Sequence, residues 1–190
     1  MSGLNPATFL KKLDGTITGI GIKKSIDVTE QIKGSAGAAL TSTTTNAGIG
    51  AIETNFDGII CDASGTAVLS LKMLVPRDYD KDIDKMRVRF LAQMGGSTNS
   101  SVAIDAALFQ KKVETALSAD LDPTISGSIN TLAEVADWVE VVADSQGLIP
   151  GSALYWEFTT SAHTTDAIHI YAVEVEYWSN LVYNDRDDRD

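Results

Sequence analysis

The sequence predicts an all-β fold: an antiparallel β-sandwich of jelly-roll type with an extended N-terminal arm. Three observations predict it. Apolar and polar residues alternate with period 2 in run after run, and Gly, Pro, Asn or Asp clusters punctuate the runs. Helical periodicity is scarce, and strands do not alternate with long helices, which argues against a parallel α/β sheet. The 190 residues are 44% apolar and 22% charged, the balance of a folded domain rather than a disordered chain.

The elements follow in order. Asn5-Pro6 can cap and open a short helix through Leu13, and Asp14-Gly15 ends it. Ile17, Ile20, Ile22, Ile26, Val28 and Ile32 then recur at irregular spacing, the pattern of an extended arm. Residues 34–51 carry no charge and are mostly Gly, Ala, Ser and Thr. They read equally as a flexible linker or as an extended strand lying on a partner. The arm and linker are therefore placed at 1–51, the sandwich at 52–182 and an acidic tail at 183–190.

Within the body, 68–75, 87–94, 102–108 and 154–159 alternate as strands, and 138–142 is a short strand rich in β-formers. Weaker segments lie at 58–62 and near 125–129. The last strand, 167–178, is the longest. His169, Tyr171, Val173, Val175 and Tyr177 are assigned to one buried face. The opposite face runs from Ile168, Ile170 and Ala172 to Glu174 and Glu176, covered at its start and wet at its end. This totals roughly eight strands, as a jelly roll requires. One or two helical turns are expected within 107–119 and 131–136.

Charge and cysteine content exclude several function classes. Fifteen Lys and Arg against 26 Asp and Glu give a net charge of −11. Such a chain repels phosphate backbones and anionic headgroups, so neither nucleic acid nor membrane is an expected partner. The charge is uneven: the first 33 residues carry five lysines against three acids. The lone Cys61 forms no internal disulfide and builds no cysteine zinc site. No apolar run approaches the ~18–20 residues of a membrane span. A soluble protein made in the cytoplasm is expected.

No catalytic, cofactor-binding or metal-ligating residue is assigned, although several candidates invite the question. Asp78, Asp80, Asp82 and Asp84 alternate like the start of a calcium loop. Ile83 stands where that loop needs glycine, and Arg89 where it needs a bidentate glutamate. A solvated acidic loop is the competing reading. Glu174 and Glu176 share a strand face at about 6.5–7 Å, a spacing glycosidases use, but also what any wet strand face shows. Ser161, His163 and Asp166 are neighbours in sequence, which is not the spatial arrangement of a triad. His169 reads as a core or interface histidine, and Cys61 as a small buried hydrophobe. The alternation places Trp156, Tyr171 and Tyr177 inside and leaves Tyr155 and Trp178 to meet solvent, where they could stack on sugar rings.

Four segments carry a resemblance: Leu74-Val-Pro-Arg-Asp-Tyr-Asp80, Met86-Arg-Val-Arg-Phe-Leu-Ala92, Ala153-Leu-Tyr-Trp-Glu-Phe-Thr159, and His163 through Tyr177. Together they resemble a β-sandwich domain of tailed-bacteriophage structural proteins, over about residues 66–182. The resemblance implies a non-enzymatic virion protein: a capsid decoration or cement protein, often a homotrimer, that bridges major capsid subunits. In that reading residues 1–51 bind the shell. The alternative is a carbohydrate-binding or receptor-binding module of a head or tail fibre.

Overall fold

The computed structural model describes residues 22–42, 46–63, 65–80, 84–96, 102–129, 135–143, 147–163 and 165–179. The expected helix at 5–13 and the acidic tail at 183–190 lie outside them. Among the described residues there are eleven strands: β1 (Ile22–Asp27), β2 (Lys33–Gly34), β3 (Ala47–Glu53), β4 (Phe56–Cys61), β5 (Val68–Leu74), β6 (Arg87–Met94), β7 (Ile104–Lys111), β8 (Thr124–Ser126), β9 (Asp137–Val142), β10 (Ala153–Thr160) and β11 (Ile168–Ser179). They form two sheets in which every pairing is antiparallel. The larger runs β3-β4-β11-β6-β9-β8, with β1 also on β11; the smaller runs β2-β5-β10-β7. The chain is an antiparallel β-sandwich of jelly-roll type.

The core lies between the sheets and follows from the alternation. Phe90, Leu71, Leu108, Trp156 and Phe158 are almost wholly buried. Phe90 meets Phe158 edge-on at 4.8 Å, and Trp156 stacks on Phe158 at 5.9 Å. Aromatic pairs of this kind add about 0.5–1.5 kcal/mol beyond their area. Cys61 is fully buried, and burial pushes its thiol up to about 12, so it packs as a small hydrophobe.

Three expectations need correction. The segment read as arm and linker is part of the sandwich from Ile22 onward. β1 pairs with β11 from Ile22↔Ser179 to Asp27↔Glu174, β2 pairs with β5, and β3 pairs with β4. Val28, Ile32, Leu40 and Ala47 enter the core. The uncharged stretch is small-residue for a packing reason: a Cβ on Gly48 would lie 2.5 Å from the Thr41 carbonyl oxygen. Second, 107–119 holds no helix. β7 continues to Lys111, and the chain folds back so that Ser118 N–H donates to Gln110 O and Leu121 N–H to Leu108 O. Residues 131–134 lie outside the description.

The third correction concerns β11. Ile170 pairs with Ala92 and Ala172 with Leu91, so Tyr171 opposes no residue of β6: the strand carries a β-bulge. The bulge exchanges the faces. Ile168 and Ile170 point into the core before it, and Val173, Val175 and Tyr177 after it. His169 and Tyr171 therefore join Glu174, Glu176 and Trp178 on the outer face. Ile168 and Ile170 fill the chain's own interior.

Candidate functional site

The outer face of the seven-stranded sheet is built from two charged β6 residues and their neighbours. Arg89 lies 2.7 Å from Glu174 and 3.0 Å from Glu140, with its guanidinium 4.5 Å over the Trp138 ring. Arg87 reaches Asp84 at 2.7 Å and Glu176 at 3.4 Å. Lys23 of β1 holds Glu176 at 2.7 Å, and Ser25 donates to Glu174. The proposed glycosidase pair is thus bound into an ion-pair network. Both carboxylates face arginine rather than an open cleft.

The acidic loop is likewise occupied by protein partners. Asp78 accepts from Lys24 Nζ at 2.6 Å, Ser179 Oγ at 2.5 Å and Tyr177 OH at 3.3 Å. Burial works against the charge of Asp78, but the Lys24 and Ser179 donors, its own backbone N–H and the Lys24 charge outweigh it and hold the carboxyl below its ordinary range. Asp84 accepts from Arg87 and from Trp178 Nε1. Asp82 lies outside the described residues. Among the described residues, no group of three or more His, Cys, Asp or Glu is placed to hold a metal ion.

His163 is buried in the connection between β10 and β11, its Nδ1 3.1 Å from the Ser161 carbonyl. The Ser161 hydroxyl instead accepts from Ala103 N–H. The sequence neighbours Ser161 and His163 thus form no hydroxyl–imidazole pair.

At the other end of this face the surface opens into a cleft of about 810 Å³, lined by the β3–β4 hairpin, Gln93, Gly95 and His169. Register builds its floor: Ile60, His169 and Gln93 lie in one row across β4, β11 and β6. Two bulges flank it, one at Tyr171 and one between Ala51 and Glu53, and bulges re-aim side chains in this way. The bulged Tyr171 packs against Phe56, ring centroids 5.5 Å apart. Its hydroxyl donates to Glu53 Oε1 at 2.7 Å. Phe56 is 47% exposed, a large apolar ring left open to solvent.

The cleft's polar groups are varied. The Glu53 carboxylate is an acceptor fixed by Tyr171, with no other hydrogen bond or ion pair among the described residues. Gln93 is buried with an amide that can donate and accept, and Asn55 sits at the rim. Burial pushes the His169 imidazole below its ordinary value, and the nearby Glu53 charge offsets this only in part. His169 therefore presents one donor and one acceptor nitrogen at neutral pH. Gly95 admits the ring: a Cβ there would sit 2.8 Å from His169 Nε2.

Sequence reasoning placed Tyr171 inside and nominated neither Phe56 nor Gln93. The available signal was the phase change in β11, where apolar residues shift from even to odd positions. Of the nominated surface aromatics, Trp178 lies on this face and Tyr155 on the opposite sheet.

No family model matches the chain, and no curated protein matches it. Three solved structures share features of the sandwich. The xylan-binding module CBM15 is 10% identical, with a TM-score of 0.49 over 83% of this chain and 97% of that one. TmCBM61, solved in complex with β-1,4-galactotriose, is 11% identical with a TM-score of 0.37, over 80% and 86%. TmCBM27, a module described for specific mannan recognition, is 9% identical with a TM-score of 0.39, over 83% and 98%.

Proposed function

We propose that this chain is a non-catalytic carbohydrate-binding module whose ligand lies in the cleft on the seven-stranded sheet. One observation carries the reading: the exposed Phe56 ring, packed against the half-buried Tyr171, lines one cleft with Glu53, Gln93 and His169. A sugar ring has an apolar C–H face and a rim of hydroxyls. The aromatic pair matches the face. The mixed donors and acceptors match the rim, because hydroxyls donate and accept at once. A cleft of this size suits a few sugar units.

The test is binding to neutral oligosaccharides by isothermal titration. Phe56→Ala is expected to lower affinity at least tenfold, about 1.4 kcal/mol, with the fold intact. Undiminished affinity in Phe56→Ala, or no affinity in the wild-type chain for any member of a broad glycan array, overturns the reading.

The sequence resemblance to phage structural sandwiches supports a second reading, a virion protein. A receptor-binding appendage accommodates both. The cement form requires residues 1–51 to reach a neighbouring subunit. That form is weakened by β1, β2 and β3, which commit the described residues between 22 and 51 to this chain's own sheets. Co-sedimentation with empty shells tests the virion role, and light scattering tests the trimer. Shell binding that disappears with residues 1–21 alone restores the cement form.

A further inference from the structure

The two surface aromatics nominated for sugar stacking sit on opposite sheets. Trp178 lies on the seven-stranded sheet, whereas Tyr155 pairs with Lys72 and Phe109 in a row across β5, β10 and β7. We propose that the outer face of the four-stranded sheet carries a second saccharide cleft, so that one chain holds two glycan strands at once. The inference rests on the carbohydrate reading for its ligand class and on separate residues for its site.

The Tyr155 ring lies beside Phe109, centroids 6.5 Å apart, which extends the aromatic surface across two strands. A cleft of about 750 Å³ opens next to it. Its wall is the segment between β1 and β3, where Gln31 and Lys33 fold over the sheet edge. Lys33 pairs with Ser70, and Gly34 O accepts from Ser70 Oγ at 3.0 Å, which pins that wall to β5. Lys72 stands opposite Tyr155 on the floor.

The charges distinguish this cleft from the rest of the surface. On the other sheet Lys23, Arg87 and Arg89 are all held by carboxylates. The Lys33 and Lys72 ammonium groups have no hydrogen bond or ion pair among the described residues. Two ammonium groups beside a tyrosine offer donors to sugar hydroxyl and ring oxygens, and Gln31 adds an amide. Glu30 adds a carboxylate acceptor to the lining, and the Tyr155 hydroxyl itself donates to Glu157 at 3.3 Å.

Sandwiched sheets pack about 10 Å apart, and the two clefts point away from each other. A short oligosaccharide in one cannot reach the other. Occupancy of both brings two separate glycan strands onto one module, so a polysaccharide is cross-linked and its apparent affinity rises by avidity.

Isothermal titration with xylohexaose, mannohexaose and cellohexaose tests this, with thermal midpoints as the folding control. The wild-type chain is expected to bind two molecules of the best probe. Phe56→Ala and Tyr155→Ala should each bind one, Lys72→Ala should weaken the second site at least fivefold, and only the wild type should cross-link the parent polysaccharide into a turbid network. One site that Phe56→Ala abolishes and Tyr155→Ala leaves intact overturns the second cleft and keeps the first. One site with the reverse pattern overturns the first cleft and keeps this one. No binding of any probe overturns both.

Discussion

Replacing Gly95 by alanine should separate stability from binding. The new Cβ would lie 2.8 Å from both Cε1 and Nε2 of His169 and 3.3 Å from the Ala167 carbonyl oxygen. The backbone has little room to yield, since Gly95 N–H donates to that carbonyl at 2.8 Å. The imidazole is the group that moves, by about 0.6 Å to reach ordinary contact, and its free direction is into the cleft. Overpacking costs about 1–3 kcal/mol where nothing can shift, and the open cleft puts this site at the low end. Gly→Ala at an ordinary φ also removes unfolded-state freedom, worth about 0.4–1 kcal/mol in the opposite direction. The two nearly cancel, so urea unfolding should change by less than about 1 kcal/mol. Affinity for a neutral oligosaccharide should fall at least tenfold, because the ring then stands in the ligand's volume. Unchanged affinity refutes the cleft as the site. A stability loss above about 3 kcal/mol refutes the claim that the ring is free to move.

Other variants probe the framework. At Gly58 a Cβ would meet the Ile170 carbonyl oxygen at 2.6 Å. That obstacle is the backbone of the neighbouring strand, so Gly58→Ala should cost about 2–3 kcal/mol in urea unfolding; a neutral result means the β4–β11 contact is looser than described. Glu176 is 5% exposed among Lys23, Arg87 and Arg89. Breaking a buried pair costs about 3–5 kcal/mol, but the arginines retain Asp84, Glu140 and Glu174, so Glu176→Gln should cost roughly 1–2 kcal/mol, and no loss refutes the network's structural role. His169 has a lowered pKa in the folded chain, so the unfolded chain takes up its proton first as pH falls below 6.5. Stability should therefore decline from pH 6.5 down through the lowered value, and His169→Asn should remove that part of the slope measured between about pH 7 and about pH 5.5. An identical slope in the variant refutes this contribution.

Much of the sandwich was legible from local pattern. The strands at 68–75, 87–94 and 154–159 repeat an alternation, 138–142 is rich in β-forming residues, and each appears where the pattern put it. β1, β2 and β3 were hidden because their information is not local. β1 exposes Ile22 and Ile26 and is held by its edge pairing to β11, a contact more than 140 residues away in sequence. β3 is rich in glycine and alanine, which propensity reads as linker, yet Gly48 is required by the close approach of Thr41. The first cleft was illegible for a related reason. Phe56 and Glu53 sit in a hairpin whose strands carry no clear alternation, and Tyr171 was assigned to the wrong face.

The bulge at Tyr171 shows why that misassignment was also the site's defining feature. Uninterrupted alternation along β11 would keep His169, Tyr171, Val173, Val175 and Tyr177 together and send Glu174 and Glu176 inward behind Ile168 and Ile170. Two carboxylates would then be desolvated in the core, each at a cost of several kcal/mol. The sequence avoids this by inserting one residue, which lets two runs of opposite phase both bury their apolar side. The inserted residue must still go somewhere, and with no partner on β6 its ring leans toward the β3–β4 hairpin and meets Phe56 and Glu53. The same event that repairs the core therefore sets Tyr171 against Phe56, the ring that lines the cleft. A phase change within one long strand is thus the place to look for a site in this fold, because it marks where a side chain has been freed from pairing.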